Sequence, residues 1–534
     1  MHLSPLLLET LPENGRKLGL RSPIELITQN FSFLYQTSSY IRYKLYFIKD
    51  TKRKNKAMNI PLVIDVDGTL FNGDFSHELL LLGITKSPLN AYNFIKQGLA
   101  SKPQLKAKLA DMLGPDLDIS NLPYNETVIK YAKQYKANGG DVVLCSGSDN
   151  SIIQRIVMHF DWIDVGYGST KERNLTNTVK RDFLKQLYPD GYAYIGNSKQ
   201  DYSVWEGADK ALAIAPPFGV KHIRTRNGEA VDILEPKSNS VSAALKSMRL
   251  HQWAKNALIF LVPALTIEEL TYVDISNLLF GFLVMGFLAS GTYIFNDLID
   301  IQNDRQHANK KKRPFAKGTL NIPKGLALMI GCLFLALAAT IFLPKFFAIT
   351  LCAYFFITIS YSVFLKRVPI VDVLTLALLF TIRVIAGATI VQEQTSPWLV
   401  SFVITFFLSL ALAKRHTELV KLKNVGMPGR GYKKSDTLLV LSFGMMATAL
   451  AIMSFILYAL IADEPVLASS MSVIISGFLL TYWIMRIWLL SHRGKLNDDP
   501  VLFAVKDPLS IALAGLLFVV VTIEQIGSDI AVLF

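Results

Sequence analysis

Apolar and polar positions follow two different rhythms along this 534-residue chain. Up to about residue 236 the apolar runs are short and bounded by turn residues. IPLVIDV, DVVLCSG, YAYIGN and ALAIAP alternate there with helical stretches, the pattern of buried parallel strands in an α/β domain. Beyond 236 the runs lengthen. They fall near 256–268, 276–295, 324–343, 346–365, 370–391, 397–413, 437–461, 469–490 and 508–527, and most are long enough to cross a bilayer as a helix. The first is short and contains Pro263, so its helix is expected to borrow residues from the segment before it.

The predicted architecture is an N-terminal α/β Rossmann-like domain with a helical cap, followed by an all-α polytopic membrane domain of about nine transmembrane helices. The boundaries read as a leader at 1–57, a soluble domain at 58–236, a linker with an amphipathic basic segment lying at the membrane surface at 237–255, and the membrane domain at 256–534. The leader carries short apolar patches and the basic run Lys52-Arg53-Lys54, without the pattern of a secretory signal. Two readings of it stay open: a basic, membrane-skimming tail, or an extension ahead of a natural start at Met58.

Loop charges agree with the span count. TIEELTYVD, QEQTSP and ADEPVLA, on one side, are acidic, and only the turn near Lys345 breaks the trend. The other side carries Gln302–Lys324, Lys366-Arg367, Lys414–Lys434 and His492–Lys506, all with Lys or Arg. Positive loops face the cytoplasm, which places the soluble domain there too. With short loops and no targeting signal, a bacterial inner membrane is the expected location.

Composition changes the picture only slightly. The net charge of +13 would suggest nucleic acid in a soluble protein, but the basic residues cluster beside apolar spans, so topology accounts for them and no nucleic-acid partner is expected. Cys145, Cys332 and Cys352 have neither metal nor disulfide spacing and read as reduced packing residues.

The richest chemistry lies at 296–313, NDLIDIQNDRQHANKKKR. Asp297, Asp300 and Asp304 are three and four apart, on one helical face with Asn296, at the cytoplasmic end of a span. Carboxylates at membrane depth mark substrate or ion sites, and mutual repulsion favours a cation, most simply Mg²⁺, between them. His307, Lys310 and Arg313 follow, so an Mg²⁺-bound phosphate or diphosphate would satisfy both signs of charge. At the same face stand Tyr361, Ser362, Lys366 and Asp372, then Lys414, Arg415 and Glu418, and a second acidic cluster of Asp498, Asp499 and Asp507. Arg383 lies deep in the fifth run and is expected to face the bundle interior and meet an anion or acid.

In the soluble domain the strand ends carry DVDGTL at Asp65–Leu70, Ser146 within CSGSD, and GNSKQD at Gly196–Asp201, where α/β sheets bind ligands. Residues 77–138 are helical in character and suit a cap over that site. These elements, in this order, resemble the haloacid dehalogenase (HAD) superfamily of phosphatases. The resemblance implies Asp65 as nucleophile and Asp67 as general acid and base. Ser146 would bind a phosphoryl oxygen and Lys180 neutralise charge, with Lys171 and Lys185 as competitors. Mg²⁺ would be held by Asp65, Asp67 and the last motif. Asn197 stands where aspartate is more usual, which leaves Asp201 as the main carrier there.

The membrane half, from about 245 onward, resembles the UbiA superfamily of intramembrane prenyltransferases: many apolar helices, NDxxDxxxD after the second, and a second acidic motif near the end. HQWAKN, DRxHxxKxxRP at Asp304–Pro314, YSxxLKxxPIxD at Tyr361–Asp372 and KRxxE at Lys414–Glu418 look like its polyprenyl-phosphate phosphoribosyltransferase branch. That branch implies phosphoribosyl diphosphate as donor and polyprenyl phosphate as acceptor. Asp297, Asp300 and Asp304 would hold Mg²⁺ on the donor, with Asp499 and Asp507 as a second metal-binding pair. Lys310 and Arg313 would bind phosphate oxygens, and Lys366 or Arg383 the lipid phosphate. The expected protein is therefore a bifunctional enzyme, transferring a phosphoribosyl group and then removing its 5-phosphate. Two alternatives remain: prenyl transfer from a prenyl diphosphate to an aromatic acceptor, and a transporter or lipid-binding scaffold. The bilayer is a partner in every case, and a homo-oligomer is compatible with the sequence.

Overall fold

In the computed structural model, which describes residues 60–86, 96, 102–237, 239–266, 269–307, 309–422, 429–461, 470–496 and 500–533, Ile60–Phe534 fold as one unit. The leader reading falls outside the described residues.

The first apolar run becomes β1 (Leu62–Ile64), and the chain then winds α1 (Phe75–Lys86), α2 (Lys102–Leu113) and α3 (Glu126–Ala137) before β2 (Val142–Asp149). After α4 (Asn150–His159), β3 (Val165–Ser169) and α5 (Asn177–Leu187) come β4 (Ala193–Gly196), α6 (Tyr202–Gly207), β5 (Lys210–Ile214) and β6 (Asp232–Glu235). All six strands are parallel, in the order β3-β2-β1-β4-β5-β6. Val63 lies opposite Val143 on one side and Tyr194 on the other. The chain reverses its direction of travel across the sheet between β1 and β4, and such a switch point opens a crevice at the carboxyl ends of the strands.

The central strands β1, β2 and β4 bury both faces, which explains their continuous apolar runs, whereas β6 is an exposed edge. Leu62, Ile64, Val142 and Leu144 pack with Phe75, Leu79 and Ile153 on one side. Val63, Val143, Cys145 and Tyr194 pack with Leu184 and Trp205 on the other. Helix starts follow from local chemistry: the Asn125 side chain accepts from the backbone N–H groups of Thr127 and Val128, and Asp149 from Ser151.

The membrane half contains seven helices long and apolar enough to span a bilayer among the described residues. They are α9 (Tyr272–Ile299), α11 (Ile322–Ala339), α12 (Lys345–Val363), α13 (Val371–Val391), α14 (Pro397–Val420), α15 (Thr437–Ile461) and α16 (Ser470–His492). Between the sheet and α9 lie α7 (Ser240–Met248) and α8 (Leu261–Leu265); α10 (Ile301–Gln306) follows α9. At the end come α17 (Pro500–Lys506) and α18 (Pro508–Leu533), the latter apolar over 508–520. Large apolar side chains such as Phe334, Phe346, Phe356 and Phe478 face outward, as lipid contact requires.

Two expectations change. The run at 256–268 is not one spanning α-helix: Leu250–Phe260 winds as a 3₁₀ helix and only Leu261–Leu265 is α-helical. Pro263 lacks the N–H that would continue the regular ladder, and Gly387 of α13 abuts the Ile259 carbonyl, a contact that seats the irregular segment in the bundle. The segment 237–255 is likewise no free surface linker. Ala243 and Met248 pack with Ile294, Leu298 and Phe315, and Arg249, in the left-handed conformation that ends α7, turns toward α9.

Candidate functional site

Two polar centres emerge, one at the carboxyl edge of the sheet and one at the end of α9. In the first, Asp65 directly follows β1 and its Oδ1 accepts from Lys180 Nζ at 2.7 Å. Lys180 reaches it from the buried face of α5 and also donates to the Tyr194 hydroxyl at 3.1 Å. Of the competing lysines, Lys171 is exposed beside Asp111, whereas only Lys180 of the three is buried here. Burial raises the Asp65 carboxyl, Lys180 opposes that rise, and Asp201 and Asp67 add to it, leaving it at about 7. Burial lowers the Lys180 ammonium, but Asp65 and Asp201 outweigh this and hold it above its ordinary value.

Asp67 Oδ1 accepts from the Phe75 N–H at 2.9 Å, which ties the second carboxylate to the start of α1. Its Oδ2 accepts from Ser148 at 2.5 Å and from Ser146 at 3.2 Å. Burial, with Asp74 nearby, raises its pKa despite these bonds, which suits a group that must carry a proton. Gly68 takes φ +74°, and a Cβ there would strike Asn197, so glycine keeps the loop against the last motif.

Asp201 differs from its expected part as main metal carrier. Its Oδ2 accepts from the N–H groups of Asn197 and Ser198 and from the Ser198 hydroxyl, at 2.9 to 3.0 Å, and its Oδ1 from Tyr194 at 2.6 Å. It braces the turn. No three His, Cys, Asp or Glu side chains form a ready metal cluster among the described residues.

In the second centre the expected stripe of aspartates divides. α9 ends at Ile299, and Asp300 caps it with φ −90° and ψ 8° before α10 begins at Ile301. Arg313 Nη1 bridges Asp297 (3.1 Å) and Asp304 (2.7 Å). Arg249 also donates to Asp297 Oδ1. Asp300 turns instead to Lys366, at 2.6 and 2.8 Å, and that ammonium also meets Asn296 Oδ1 at 3.3 Å. Burial lowers the Lys366 ammonium despite Asp300, and Arg430 and Arg367 add to the lowering. Burial raises Asp304 against the opposing charge of Arg313.

Asp297 Oδ2 is buried with no partner. An orphaned carboxylate oxygen at this depth fits a divalent cation, and oxygen ligands are what Mg²⁺ prefers. A second cluster adjoins the first. Asp372 accepts from Arg415 (2.6 Å), Arg430 (3.1 Å) and Tyr432 (2.6 Å), Arg430 also reaches Tyr361 at 3.3 Å, and Arg415 pairs with Glu418.

His307 is exposed, its Nδ1 accepting from the Asn309 and Lys310 N–H groups, so it shapes the loop. The Lys310 ammonium has Asp304 and Arg313 as charged neighbours, and Lys414 lies in the last two turns of α14 near Glu418. Arg383 faces the bundle interior as expected, but meets neutral oxygens rather than an acid: Asn256 Oδ1 (3.1 Å), the Leu379 carbonyl (2.6 Å) and the Tyr354 hydroxyl (2.7 Å). The Tyr354 ring offers it a cation–π face. Asp507 pairs with Arg486 at 2.8 and 3.0 Å and caps α18 through Ser510. Asp498 and Asp499 fall outside the described residues.

Sequence reasoning passed over Arg249, Arg430, Tyr432, Ser148 and Tyr194. Ser148 was the second serine of CSGSD, and Arg249 one of several bases in an amphipathic segment. For Arg430, in a glycine-rich basic loop, no local signal stood out.

Comparison with known proteins follows the same division. Residues 257–507 match the UbiA prenyltransferase family. The uncharacterised protein y4nM of Sinorhizobium fredii is 32% identical over 490 residues, 89% of this chain and 94% of that protein, so the likeness extends into the soluble domain. Nodulation protein NoeC of Azorhizobium caulinodans is 32% identical over 50% of this chain and 88% of its own. Decaprenyl-phosphate phosphoribosyltransferase of Mycobacterium tuberculosis is 27% identical over 53% and 94%. Among solved structures, a UbiA homologue from Archaeoglobus fulgidus bound to DMAPP and Mg²⁺ aligns with 52% of this chain and 99% of its own, at 17% identity and a TM-score of 0.42.

Proposed function

Because the chain belongs to the UbiA prenyltransferase family and is an integral membrane protein, we propose that its membrane domain moves a 5-phosphoribosyl group from phosphoribosyl diphosphate to a polyprenyl phosphate, and that its soluble domain, acting as a HAD phosphatase, removes the 5-phosphate of the product. The observation that carries this reading is the interleaving of acids and bases around Asp297. Asp297, Asp300 and Asp304 alternate with Arg249, Arg313 and Lys366, with Arg430 close behind. A bare anion or bare cation would suit only half of this set, and a metal-bound polyphosphate suits all of it. The likeness to a decaprenyl-phosphate phosphoribosyltransferase points the same way.

Asp297 and Asp304 would hold Mg²⁺, which when bound supplies neutralisation of the departing diphosphate. Arg313 and Lys366 then exchange carboxylate partners for phosphate oxygens, a bidentate and a point-charge contact respectively. A phosphate oxygen of the lipid attacks the anomeric carbon, a C–O bond to it forms, and the C–O bond to diphosphate breaks. The nucleophile is already anionic, so no side chain need take its proton. Tyr361, Arg415 and Glu418 support the wall around Asp372.

In the soluble domain the Asp65 carboxylate attacks phosphorus and the ester P–O bond breaks. Asp67 gives its proton to the departing alcohol, then takes one from the water that cleaves the aspartyl phosphate. Lys180 holds Asp65 ionised and oriented, and Ser146 and Ser148 orient Asp67. With positive loops facing the cytoplasm, both centres would lie on the cytoplasmic side of a bacterial inner membrane.

Transfer of label from phosphoribosyl diphosphate to polyprenyl phosphate in detergent with Mg²⁺ tests this. Asp297→Asn is expected to lower labelling by at least about a hundredfold, and Asp65→Asn to leave lipid that keeps its 5-phosphate. Wild-type protein that labels no lipid, but transfers from a prenyl diphosphate, would overturn the phosphoribosyl reading.

A further inference from the structure

The two centres are joined through a contact that neither chemistry requires. α1 turns Phe75, Leu79 and Leu82 into the soluble core, while Glu78 and Leu81, three residues apart, share a face turned toward the membrane domain. Leu81 packs against the cluster of Ile294, Leu298, Ile301, Phe315 and Leu320. Glu78 meets Arg305 of α10 in a two-pronged ion pair at 2.6 and 3.1 Å, and both side chains are at least 96% buried. At the rim, Gln306 donates to Asp118 at 3.1 Å. Gly318, with φ +74°, abuts the Asn72 carbonyl so closely that a Cβ would collide with it.

These contacts begin and end at the reactive residues. Asn72 closes the loop that starts at Asp65, and α1 is anchored at its first residue by Asp67. Arg305 is adjacent to Asp304, and Gly318 lies five residues beyond Arg313. The carboxyl edge of the sheet is thus set against the loop that carries the membrane centre. A buried ion pair adds little net stability, but it strongly disfavours any arrangement that leaves one partner alone. It selects one register between surfaces that leucine packing alone would let slide.

We propose that the surface around Glu78 and Arg305 is a fixed dock that holds the phosphatase centre at the mouth of the transferase centre, so that the phosphorylated lipid product passes from one to the other without leaving the protein. The proposal rests on the functional reading above for the identity of the lipid, while the dock itself stands on the contacts. Tethering at one face raises the effective concentration of product at the second site well above its value in the bilayer.

Charge reversal and its swap test this in the full chain, using Glu78→Arg, Arg305→Glu and the double variant. Three quantities are read: hydrogen exchange across residues 75–86, hydrolysis of p-nitrophenyl phosphate, and the fraction of labelled lipid that still bears its 5-phosphate during turnover. Each single reversal is expected to speed exchange by about tenfold or more. It should keep p-nitrophenyl phosphate hydrolysis within about twofold, and make phosphorylated lipid accumulate with a lag before final product. The swap should reverse all of these changes. Added excess Asp297→Asn protein should shorten the lag in the single variants and leave wild type unaffected. Unchanged exchange in the singles, or a swap that restores neither exchange nor direct release, overturns the dock. Should wild type form no ribosylated lipid at all, the functional reading fails and exchange alone decides the dock. Normal exchange behaviour with no lag in any variant overturns the direct transfer.

Discussion

Asp65 and Asp297 are both buried carboxylates beside a base, but the base approaches from different places and does different work. Lys180 comes from within the same domain and balances two further aspartates, Asp67 and Asp201, around a carboxyl raised to about 7. In metal-free buffer the carboxylate infrared signal that Asp65→Asn removes should rise with pH up to about 7 and then level off. Lys180→Met should move that rise to higher pH, because the one opposing charge is gone; a profile that stays in place would count against Asp65 as the titrating group. Stability runs the other way. A folded pKa above the unfolded value gives stability that is complete below about pH 4 and is lost as pH climbs through about 7. Asp65→Asn should therefore flatten the fall in melting temperature across that window.

Elements in the membrane half are locked by groups that the hydropathy pattern treats as exceptions. Asp372, in the first turn of α13, and Arg415, in α14, are fully buried and paired at 2.6 Å. Asp372→Asn removes the carboxylate that Arg415 and Arg430 share, leaving Arg415 only Glu418, and should cost about 3–5 kcal/mol, visible as a lowered melting temperature in detergent. Adding Arg415→Met to Asp372→Asn should recover little of that loss, because Glu418 and Arg430 then each lose a charged partner. Gly387 sets another lock, where α13 lies on the Ile259 carbonyl. Gly387→Val should push the 250–265 segment away from α13, measurable as increased hydrogen exchange there. An unchanged exchange pattern would show that the close approach is not needed to seat that segment.

On the scale of the whole molecule, the alternation of acidic and basic loops predicts sidedness. In a variant lacking the three cysteines, a thiol placed at Thr395 should react with an impermeant reagent from the periplasmic side of intact cells, and one at Lys434 only after the membrane is opened. The reverse pattern would invert the topology. Much of this organisation was legible in the chain because burial leaves a direct imprint on it. Parallel strands covered on both faces must be continuously apolar, spans must be long and uncharged, and Asp65, Asp67 and Ser146 stand at strand ends, whereas Lys180, within α5, was one of three lysines until the fold buried it beside Asp65. The regular α-helix expected at 256–268 failed for a reason that no period reveals, a proline and a close backbone contact from a distant helix. The even stripe of Asp297, Asp300 and Asp304 failed likewise, because spacing assumes an unbroken helix and Asp300 ends one. The α/β sheet and the polytopic helical half depend on local periodicity, so the sequence by itself determined them. Which base meets which acid — Arg249 and Arg313 on Asp297, Lys366 on Asp300, Arg305 on Glu78 — depends on contacts between segments far apart in the chain, and only the tertiary structure decided that.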